Sequence, residues 1–571
     1  MANRTYKQTS LLQLGLIAAL VVLLNIVGGY AFKRFDLTSE GRYTITEPTR
    51  DLLRDLDDIV YLEIYLAGEM PADYRRMQVA ITDLLEEFNA YTSVNIEWDF
   101  KDVFEMAENP QQAEQFLEEL TEKGIYTRQI AEQRLDELSQ KILIPGAIAF
   151  YKNREVAVNF LPQQKELNED PSAVINSSIS TLEYNLANAI QRLLIVEPKQ
   201  VVFVQGHQEL NPLEVQDFAQ TLVENAYEVD FIDLPRSVGI DPTVDLAVIA
   251  KPRQTWSEAD KFKIDQFVMN GGSVLWLVES LSADLDSLLT GKTSFVAINY
   301  DLNLEDQLFQ YGARVNSDLV LDREANAIPL FSQGGANRNF YPWPFYPVVF
   351  PESSHPIAKH LDPIMVRFAS SIDTIEVPDV KKTILLTSSP QATAWKVPVL
   401  VRLETATNPP LPEQFNQADI PLAVLLEGEF RSLYTNRIPE DFLRVYQDSL
   451  GMAFKARSSF SRQVVISDGD LIRNPVSRDG RYAELGTYRF NRSFLFANKD
   501  FLLNCADYLT DNYGIIEART KDFKIRPLDR ERLREDRWRW QAFNIVVPAV
   551  VLLLFAGVYH FIRKKKYEGK V

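Results

Sequence analysis

The chain has 571 residues but little cysteine, histidine or positive charge, and each shortage removes a class of function. Its single cysteine, Cys505, cannot form an intrachain disulfide, a CxxC redox pair or a cysteine-rich zinc site. Only four histidines are present, so we expect no metal site. The net charge of -19 repels phosphate backbones, so we do not expect nucleic acid as a partner.

Glycine-rich nucleotide loops are also missing. Gly291-Lys292-Thr293 resembles the end of a Walker A loop, but Asp286 stands where that loop needs its first glycine. Gly271-Gly272 does not make a GxGxxG dinucleotide motif. We therefore expect no cofactor, and no ATP hydrolysis by this chain.

Two long apolar runs near the ends predict membrane-spanning helices. Residues 11–32 and 543–562 contain no Asp, Glu, Lys or Arg. Each is long enough to cross a hydrocarbon core of about 30 Å as a helix. A cleaved signal peptide is the alternative for the first run, which is longer than the usual apolar segment of about 7–15 residues.

Basic residues outside the two runs predict the orientation. Arg4 and Lys7 precede the first run, and a basic cluster beginning at Arg563 follows the second. By the positive-inside rule both termini are cytoplasmic, and residues 33–542 lie on the far side. In a bacterium this is an inner-membrane protein with a periplasmic region.

The composition between the runs is that of a globular protein, with 46% hydrophobic and 24% charged residues. We predict an α/β fold. The predicted segments are a cytoplasmic tail at 1–10, transmembrane helix 1 at 11–32, a first periplasmic α/β domain at 36–196, a second with insertions at 197–525, a charged juxtamembrane helix at 526–542, transmembrane helix 2 at 543–562 and a basic cytoplasmic tail at 563–571.

The first domain begins with a predicted βαβ unit. A strand at 59–66, a helix at 72–91 and a strand at 94–100 follow from apolar spacing. The order is thioredoxin-like, but without CxxC a structural or binding role is the better interpretation. Further predicted elements are helices at 49–56, 110–123, 129–140 and 174–195, and a hairpin at 147–151 and 155–160.

The second domain alternates strands and helices, which predicts a flavodoxin-like or amidotransferase-like parallel sheet. Helices are expected at 212–226 and 257–269. The predicted strands are 201–204, 228–232, 246–250, 273–278, 384–386, 422–426 and 463–467.

His207 and Glu209 follow the first of these strands. Open α/β sheets bind ligands outside the carboxyl ends of their strands, so this pair is a candidate ligand or partner contact. A general acid–base or metal role and a purely structural turn are the alternatives. Cys505 lies in an apolar helical pattern and is expected in the core, which disfavours a Cys–His hydrolase; we expect no catalytic residues.

The segment 340–350 is rich in proline and aromatic residues, and we expect it to be a loop. Trp343 and Phe345 could stack on sugar rings or anchor a partner protein. A Pro-rich aromatic loop is, however, more often packed on its own domain.

Residues near both ends carry a resemblance to a known family. An apolar run followed by Phe35-Asp36-Leu37-Thr38 and Arg42-Tyr43-Thr44-Ile45-Thr46 resembles the gliding-motility-associated GldG family of ABC-transporter auxiliary proteins. The stretch 493–504, reading SFLFANKDFLLN, is similar to that family too, as is the arginine-rich helix before the final run.

The resemblance implies a non-catalytic subunit of a Bacteroidetes inner-membrane ABC complex linked to gliding motility. Its implied partners are a separate ABC ATPase and a polytopic permease, and its periplasmic ligand is unknown. A membrane-tethered periplasmic hydrolase and a carbohydrate- or peptide-binding module are the alternatives.

Overall fold

The computed structural model describes residues 14–23, 44–134, 137–161, 171–195, 197–285, 288, 292–331, 338–438, 444, 453–511, 514–520 and 536–568. The chain divides into two compact units, Met1–Asp522 and Phe523–Val571. The predicted boundary between two periplasmic domains, at 196–197, falls inside the first unit and stays a prediction.

The first unit opens with a four-stranded mixed sheet and its helices. The elements before residue 197 are α1 (Leu14–Leu23), α2 (Glu47–Arg54), β1 (Val60–Ile64), α3 (Ala72–Asn89), β2 (Ile96–Phe100), α4 (Val103–Met106), α5 (Pro110–Glu122), β3 (Arg128–Arg134), β4 (Glu137–Leu143), β5 (Gly146–Tyr151), β6 (Arg154–Asn159) and α6 (Pro171–Leu194).

The predicted βαβ unit is present. β1 and β2 pair in parallel, and α3 connects them. Met77, Ile81 and Leu85 recur every four residues along α3 and are fully buried, which packs one face of this helix into the core. The sheet order is β2-β1-β5-β6, with β5 antiparallel to both neighbours. β6 is therefore an edge strand.

The helix predicted at 129–140 is wrong. β3 and β4 form an antiparallel hairpin there, with Arg128 opposite Leu143. Glu, Gln and Leu favour helices, which is why the local composition misleads. Helix propensity is a weak prior, and the pairing of two strands overrides it here.

The second part of the unit holds a seven-stranded sheet with insertions. Its elements are β7 (Lys199–Gln205), α7 (Gln216–Glu224), β8 (Tyr227–Asp233), β9 (Leu246–Ala250), α8 (Glu258–Met269), β10 (Ser273–Leu277), β11 (Ser294–Ala297), α9 (Glu305–Tyr311), β12 (Ala313–Val315), β13 (Asp318–Asp322), β14 (Ala325–Phe331), β15 (Arg338–Val349), β16 (Ile364–Met365), β17 (Ile372–Thr374), β18 (Val380–Thr387), β19 (Ala392–Lys396), β20 (Val399–Arg402), β21 (Pro421–Arg431), β22 (Arg457–Ile466), β23 (Thr487–Tyr488), β24 (Asn491–Leu495) and α10 (Asn498–Thr510).

The order of the large sheet is β18-β21-β22-β10-β9-β7-β8. The five strands from β22 to β8 are parallel, and β21 and β18 add an antiparallel edge. Every predicted strand of this region is a strand of this sheet. β9 and β10 are buried along their whole length, as expected of a parallel sheet covered on both faces.

The second unit contains α11 (Arg537–Glu568), which is apolar enough to span a membrane over Arg537–Lys565. Within the described part of the chain this is one such helix, whereas two were predicted. Of the first predicted span the structure describes the short apolar helix α1, and the other residues of 11–32 lie outside the described ranges. Most of the predicted juxtamembrane helix at 526–542 also lies outside them.

Candidate functional site

The carboxyl edge of the large parallel sheet carries polar residues after four neighbouring strands. His207 and Glu209 follow β7, Lys251 follows β9, Glu279 follows β10, and Asp468 and Asp470 follow β22. All six are at least nine-tenths buried. Ligands of open α/β folds bind at this edge, so its geometry decides whether the protein has a site there.

His207 lies between two carboxylates. Its Nδ1 is 3.2 Å from Glu209 Oε1, and its Nε2 is 3.3 Å from Asp260 Oδ2. The ring stacks on Trp256, with centroids 4.0 Å apart and planes inclined by 10°. Because both ring nitrogens already face carboxylate oxygens, neither is free to accept a proton from a nucleophile.

Asp260 is fixed by the start of α8. Ser257 Oγ donates to Asp260 Oδ2 at 2.6 Å, and Lys263 Nζ lies 2.8 Å from Asp260 Oδ1. Burial acts to raise the pKa of Asp260, but the hydrogen bonds from Lys263 and Ser257 outweigh it and lower the pKa below its usual range. The carboxylate is thus held charged beside His207.

A second cluster, which the sequence patterns did not single out, surrounds Lys251. Its Nζ lies 2.7 Å from Glu279 Oε2 and 2.8 Å from Asp470 Oδ2. The three side chains are 3%, 0% and 5% exposed. Burial works against the ammonium charge, but Asp470 and Glu279 outweigh it and raise the pKa of Lys251. We call Lys251, Glu279, Asp468 and Asp470 the lysine cluster.

The carboxyl groups of the lysine cluster differ in their pKa. Burial, and then the neighbouring charge of Asp470, raise the pKa of Asp468 to about 7. Burial also acts to raise the pKa of Asp470, but Lys251, Arg367 and Arg473 outweigh it and hold the pKa below its usual range. For Glu279 burial dominates, and its pKa lies well above the usual range.

The side chains of the lysine cluster are tightly packed against one another. A Cβ added at Gly469, between the two aspartates, would lie 2.6 Å from Lys251 Cβ. Lys251 itself has a left-handed backbone, with φ of 55°. Arg473 closes the edge from outside, since its guanidinium is 2.8 Å from Glu214 and 3.5 Å from Asp470. The cluster is a closed ionic core at the edge where a ligand was expected.

A signal for this cluster was present in the sequence. Lys251, Glu279 and Asp468 each follow an apolar strand whose position the sequence predicted correctly. Comparing the first polar residues after each parallel strand would have brought them together. Of the polar residues that follow these strands, the sequence patterns had indicated only His207 and Glu209 as candidates.

The aromatic segment 340–350 is not a loop but most of β15. Trp343 and Phe345 are fully buried, and Trp343 Nε1 donates to the carbonyl of Arg402 at 3.1 Å. Both rings pack edge-on against other aromatic rings, with the Trp343 and Phe345 centroids 5.4 Å apart. The structure therefore shows these rings packed in the protein's own core, as such segments more often are.

The structure also places Cys505 and one of the remaining histidines, His355. Cys505 on α10 is fully buried, which confirms its expected place in the core. His355 contacts the ring of Tyr508, and burial lowers the pKa of His355 to about 4. Among the residues that the structure describes, no group of three or more His, Cys, Asp or Glu side chains could hold a metal ion.

An open cleft lies elsewhere in the first unit. It has a volume of about 580 Å³ and lies between β6 and α6 on one side and α7 and α10 on the other. A second cleft of about 770 Å³ runs beside α9. The 580 Å³ cleft lies between the part of the unit that holds the four-stranded sheet and the part that holds the seven-stranded sheet. Many hydroxyl and carboxamide groups line it.

Solved structures resemble the chain only distantly. The mmIFT52 N-terminal domain aligns over 98% of its length and 55% of this chain, at 12% identity and a TM-score of 0.30. The exo-beta-1,4-mannosidase Op5Man5 from Opitutaceae bacterium strain TAV5 aligns over 72% of this chain and 47% of its own, at 9% identity and a TM-score of 0.20. Neither value supports an argument about fold or function.

Sequence comparisons are more informative. An uncharacterized protein of Borreliella burgdorferi is 22% identical over 98% of this chain and 99% of its own length. Residues 39–150 match a domain of unknown function. Residues 198–505 match the family described as an ABC-type uncharacterized transport system, and this match covers more than half of the chain. The chain therefore belongs to this ABC-type transport-system family.

Proposed function

We propose that the protein is a non-catalytic auxiliary subunit of a bacterial ABC transporter, acting with a separate ATPase and a polytopic permease. The observation that carries the proposal is the family match over residues 198–505, in a chain that also has a helix long and apolar enough to span a membrane. The described residues contain one such helix, and we infer one further span at 11–32. Two spans are too few for a usual transport pore, so we infer that the protein acts with partner subunits.

The helix α11 supplies the membrane anchor of this proposal. Trp538 and Trp540 lie at its start, and Arg563, Lys564 and Lys565 near its end. Tryptophan favours the membrane interface, and basic residues favour the cytoplasmic side. We propose that the C-terminus is cytoplasmic, that residues 11–32 form a second anchor, and that residues 33–542 are periplasmic.

The carboxyl edge supports a non-catalytic role. Both nitrogens of His207 face carboxylates, and Lys251 is enclosed by Glu279 and Asp470. A general base needs a free nitrogen or oxygen within reach of the substrate proton. Contact of His207, Glu209, Trp343 or Phe345 with a ligand would require these buried groups to be uncovered, and it stays a prediction.

The finer assignment is to the gliding-motility-associated GldG group. It rests on the terminal motifs, among them the stretch 493–504 that leads into α10. If the assignment is right, the ATPase and permease that associate with this chain are those of the gliding-motility complex.

Purification from native membranes in a mild detergent, followed by mass spectrometry, tests the proposal. Stoichiometric recovery of an ABC ATPase and a polytopic subunit is expected. A variant whose segment 537–565 is replaced by an unrelated membrane helix should stay in the membrane and lose these partners. Recovery of the wild-type chain alone would refute the proposal.

A further inference from the structure

The cleft beside β6 exposes the backbone of an edge strand. Phe160 N donates to Pro145 O at 2.9 Å, and Val158 lies opposite Ala147. In an antiparallel pair, every second residue directs its N–H and C=O toward the neighbouring strand. Val156, Val158 and Phe160 therefore face β5, whereas the backbone groups of Glu155, Ala157 and Asn159 face away from the sheet.

Both faces of β6 are covered, but no strand in the described part of the chain pairs with its outer edge. Val156, Val158 and Phe160 pack into the core that includes α6. On the other face, Lys123 Nζ lies 3.3 Å from Glu155 Oε2, and Tyr126 N donates to Asn159 Oδ1 at 3.0 Å. Between these two layers the outward backbone groups of β6 open into the cleft.

One outward carbonyl already has a partner from a side chain. Asn185 Nδ2, on α6, donates to Asn159 O at 3.3 Å. In the described chain no hydrogen bond joins the outward N–H or C=O of Ala157 to another residue. An unpaired edge of this kind is a template for an added strand.

The charged side chains that line the cleft balance one another. Three basic side chains and three acidic ones line it: Arg192, Lys499, Arg519, Glu224, Asp362 and Asp500. Lys499 is further neutralised, since its Nζ lies 3.1 Å from Asp217 and 2.8 Å from Glu484. Asn188 and Asn225 offer both donors and acceptors, and Leu361 and Leu503 offer apolar contacts. This balance favours an uncharged ligand with alternating polar and apolar groups.

We propose that this cleft binds an extended, uncharged polypeptide segment of a partner protein, which adds to the edge of β6 as a fifth strand. Main-chain hydrogen bonds to Ala157 and Asn159 supply the affinity, as in other cases of strand addition. At roughly 3.3 Å per residue, three or four residues of the segment fill the contact. The proposal does not depend on which transporter the protein serves.

A tethered peptide tests the proposal while the partner is unidentified. Cys505 is fully buried, so a cysteine introduced as Tyr126→Cys is the accessible thiol for disulfide attachment, and Tyr126 is 37% exposed at the cleft. A blocked peptide of alternating leucine and serine, joined through a short linker, then reaches an effective concentration in the millimolar range.

Amide hydrogen exchange of residues 154–160 is measured in the full chain in detergent. The tethered peptide should slow exchange at Ala157 and Asn159 at least tenfold. The same peptide with N-methylated backbone nitrogens should give no slowing, because its methyl groups keep the two backbones too far apart for the N–H groups of Ala157 and Asn159 to reach its carbonyls. Equal slowing by both peptides, or none by either, would overturn the proposal.

A backbone variant gives an independent check. Ala157→Pro removes the outward N–H and leaves the hydrogen bonds between β5 and β6 in place, because Ala157 does not face β5. It should abolish the slowing at Asn159, whereas Ala157→Ser should retain it. Unchanged slowing in a folded Ala157→Pro variant would also overturn the proposal. Slowing by free maltoheptaose but not by the peptide would assign the cleft to a sugar instead.

Discussion

The carboxyl edge of the large sheet and the cleft beside β6 differ in what fills them. At the carboxyl edge, charged side chains of the protein itself occupy the space, with Lys251 held between Glu279 and Asp470. At the cleft, backbone groups of β6 face an open volume of about 580 Å³. Fold analogy points to the first place. The lysine cluster fills its own space there, and a cleft of about 770 Å³ begins beside it at Val278 and Ser280. At β6, by contrast, the backbone of the strand edge itself lines the cleft. The following predictions test this contrast.

The largest effect is expected from Lys251→Met. The substitution leaves Glu279 and Asp470 buried without their cation, which costs about 3–5 kcal/mol of unfolding free energy. Guanidinium unfolding of the full chain in detergent, followed by tryptophan fluorescence, measures the loss. Lys152→Met is the matched control, because the Lys152–Asp57 pair is exposed and its loss should hardly move the midpoint. Equal midpoints for the two variants would contradict a closed cluster.

Gly469→Ala should destabilise the protein by about 1–3 kcal/mol, because the new methyl group overpacks the lysine cluster. It would lie 2.6 Å from Lys251 Cβ and 3.1 Å from Lys251 Cα. Gly239→Ala is the control, since nothing lies within 4 Å of a Cβ at that position. The same unfolding measurement applies, and similar midpoints would show that the edge has free space.

Asp468 should make stability fall as the pH rises from about 4 to about 7. Its pKa is raised from 3.8 to about 7 on folding, so the folded state binds more protons in this window. The slope is at most about 1.4 kcal/mol per pH unit. Asp468→Asn should flatten it, although Glu279, whose pKa is also raised, keeps part of the slope.

Unfolding midpoints at several pH values between about 4 and 7 test this expectation. Asp470 does not interfere, because its pKa is lowered on folding. The stability that this carboxylate contributes is lost only as the pH falls below this window. Curves for the wild type and Asp468→Asn that run parallel would show that Asp468 is not titrating in the folded protein.

The smallest effect is expected in the cleft. Asn188 is half-buried and lines the cleft, so Asn188→Ala should change the unfolding free energy by no more than about 0.5 kcal/mol. The contrast with Lys251→Met would then show that one region is part of the core and the other a surface. A loss above about 1 kcal/mol would mean that the cleft is as closed as the carboxyl edge.

Local patterns in the sequence predicted the strands of the large sheet correctly. They failed at 129–140, where a hairpin lies instead of a helix, and at 340–350, where a strand lies instead of a loop. The apolar runs at 246–250 and 273–278 became buried parallel strands, because such strands need apolar side chains on both faces. The segment 340–350 looked like a loop because of its prolines. It is β15, in which Pro342 and Pro347 lie opposite Ala327 and Ala325 of β14. The register between these two pairs is irregular, and such irregular positions tolerate proline within a sheet.

What the sequence determined by itself is the strands of the large sheet and of the βαβ unit, the apolar helix at the C-terminus and the broad family of ABC-type transport-system proteins. These depend on neighbouring residues, on their periodicity and on motifs that can be read in order. Only the tertiary structure decided that Lys251 meets Glu279 and Asp470, that Trp343 is buried, and that the edge of β6 faces a cleft. The physical reason is that burial and ion pairing join residues from distant strands, and no local period records which distant groups meet.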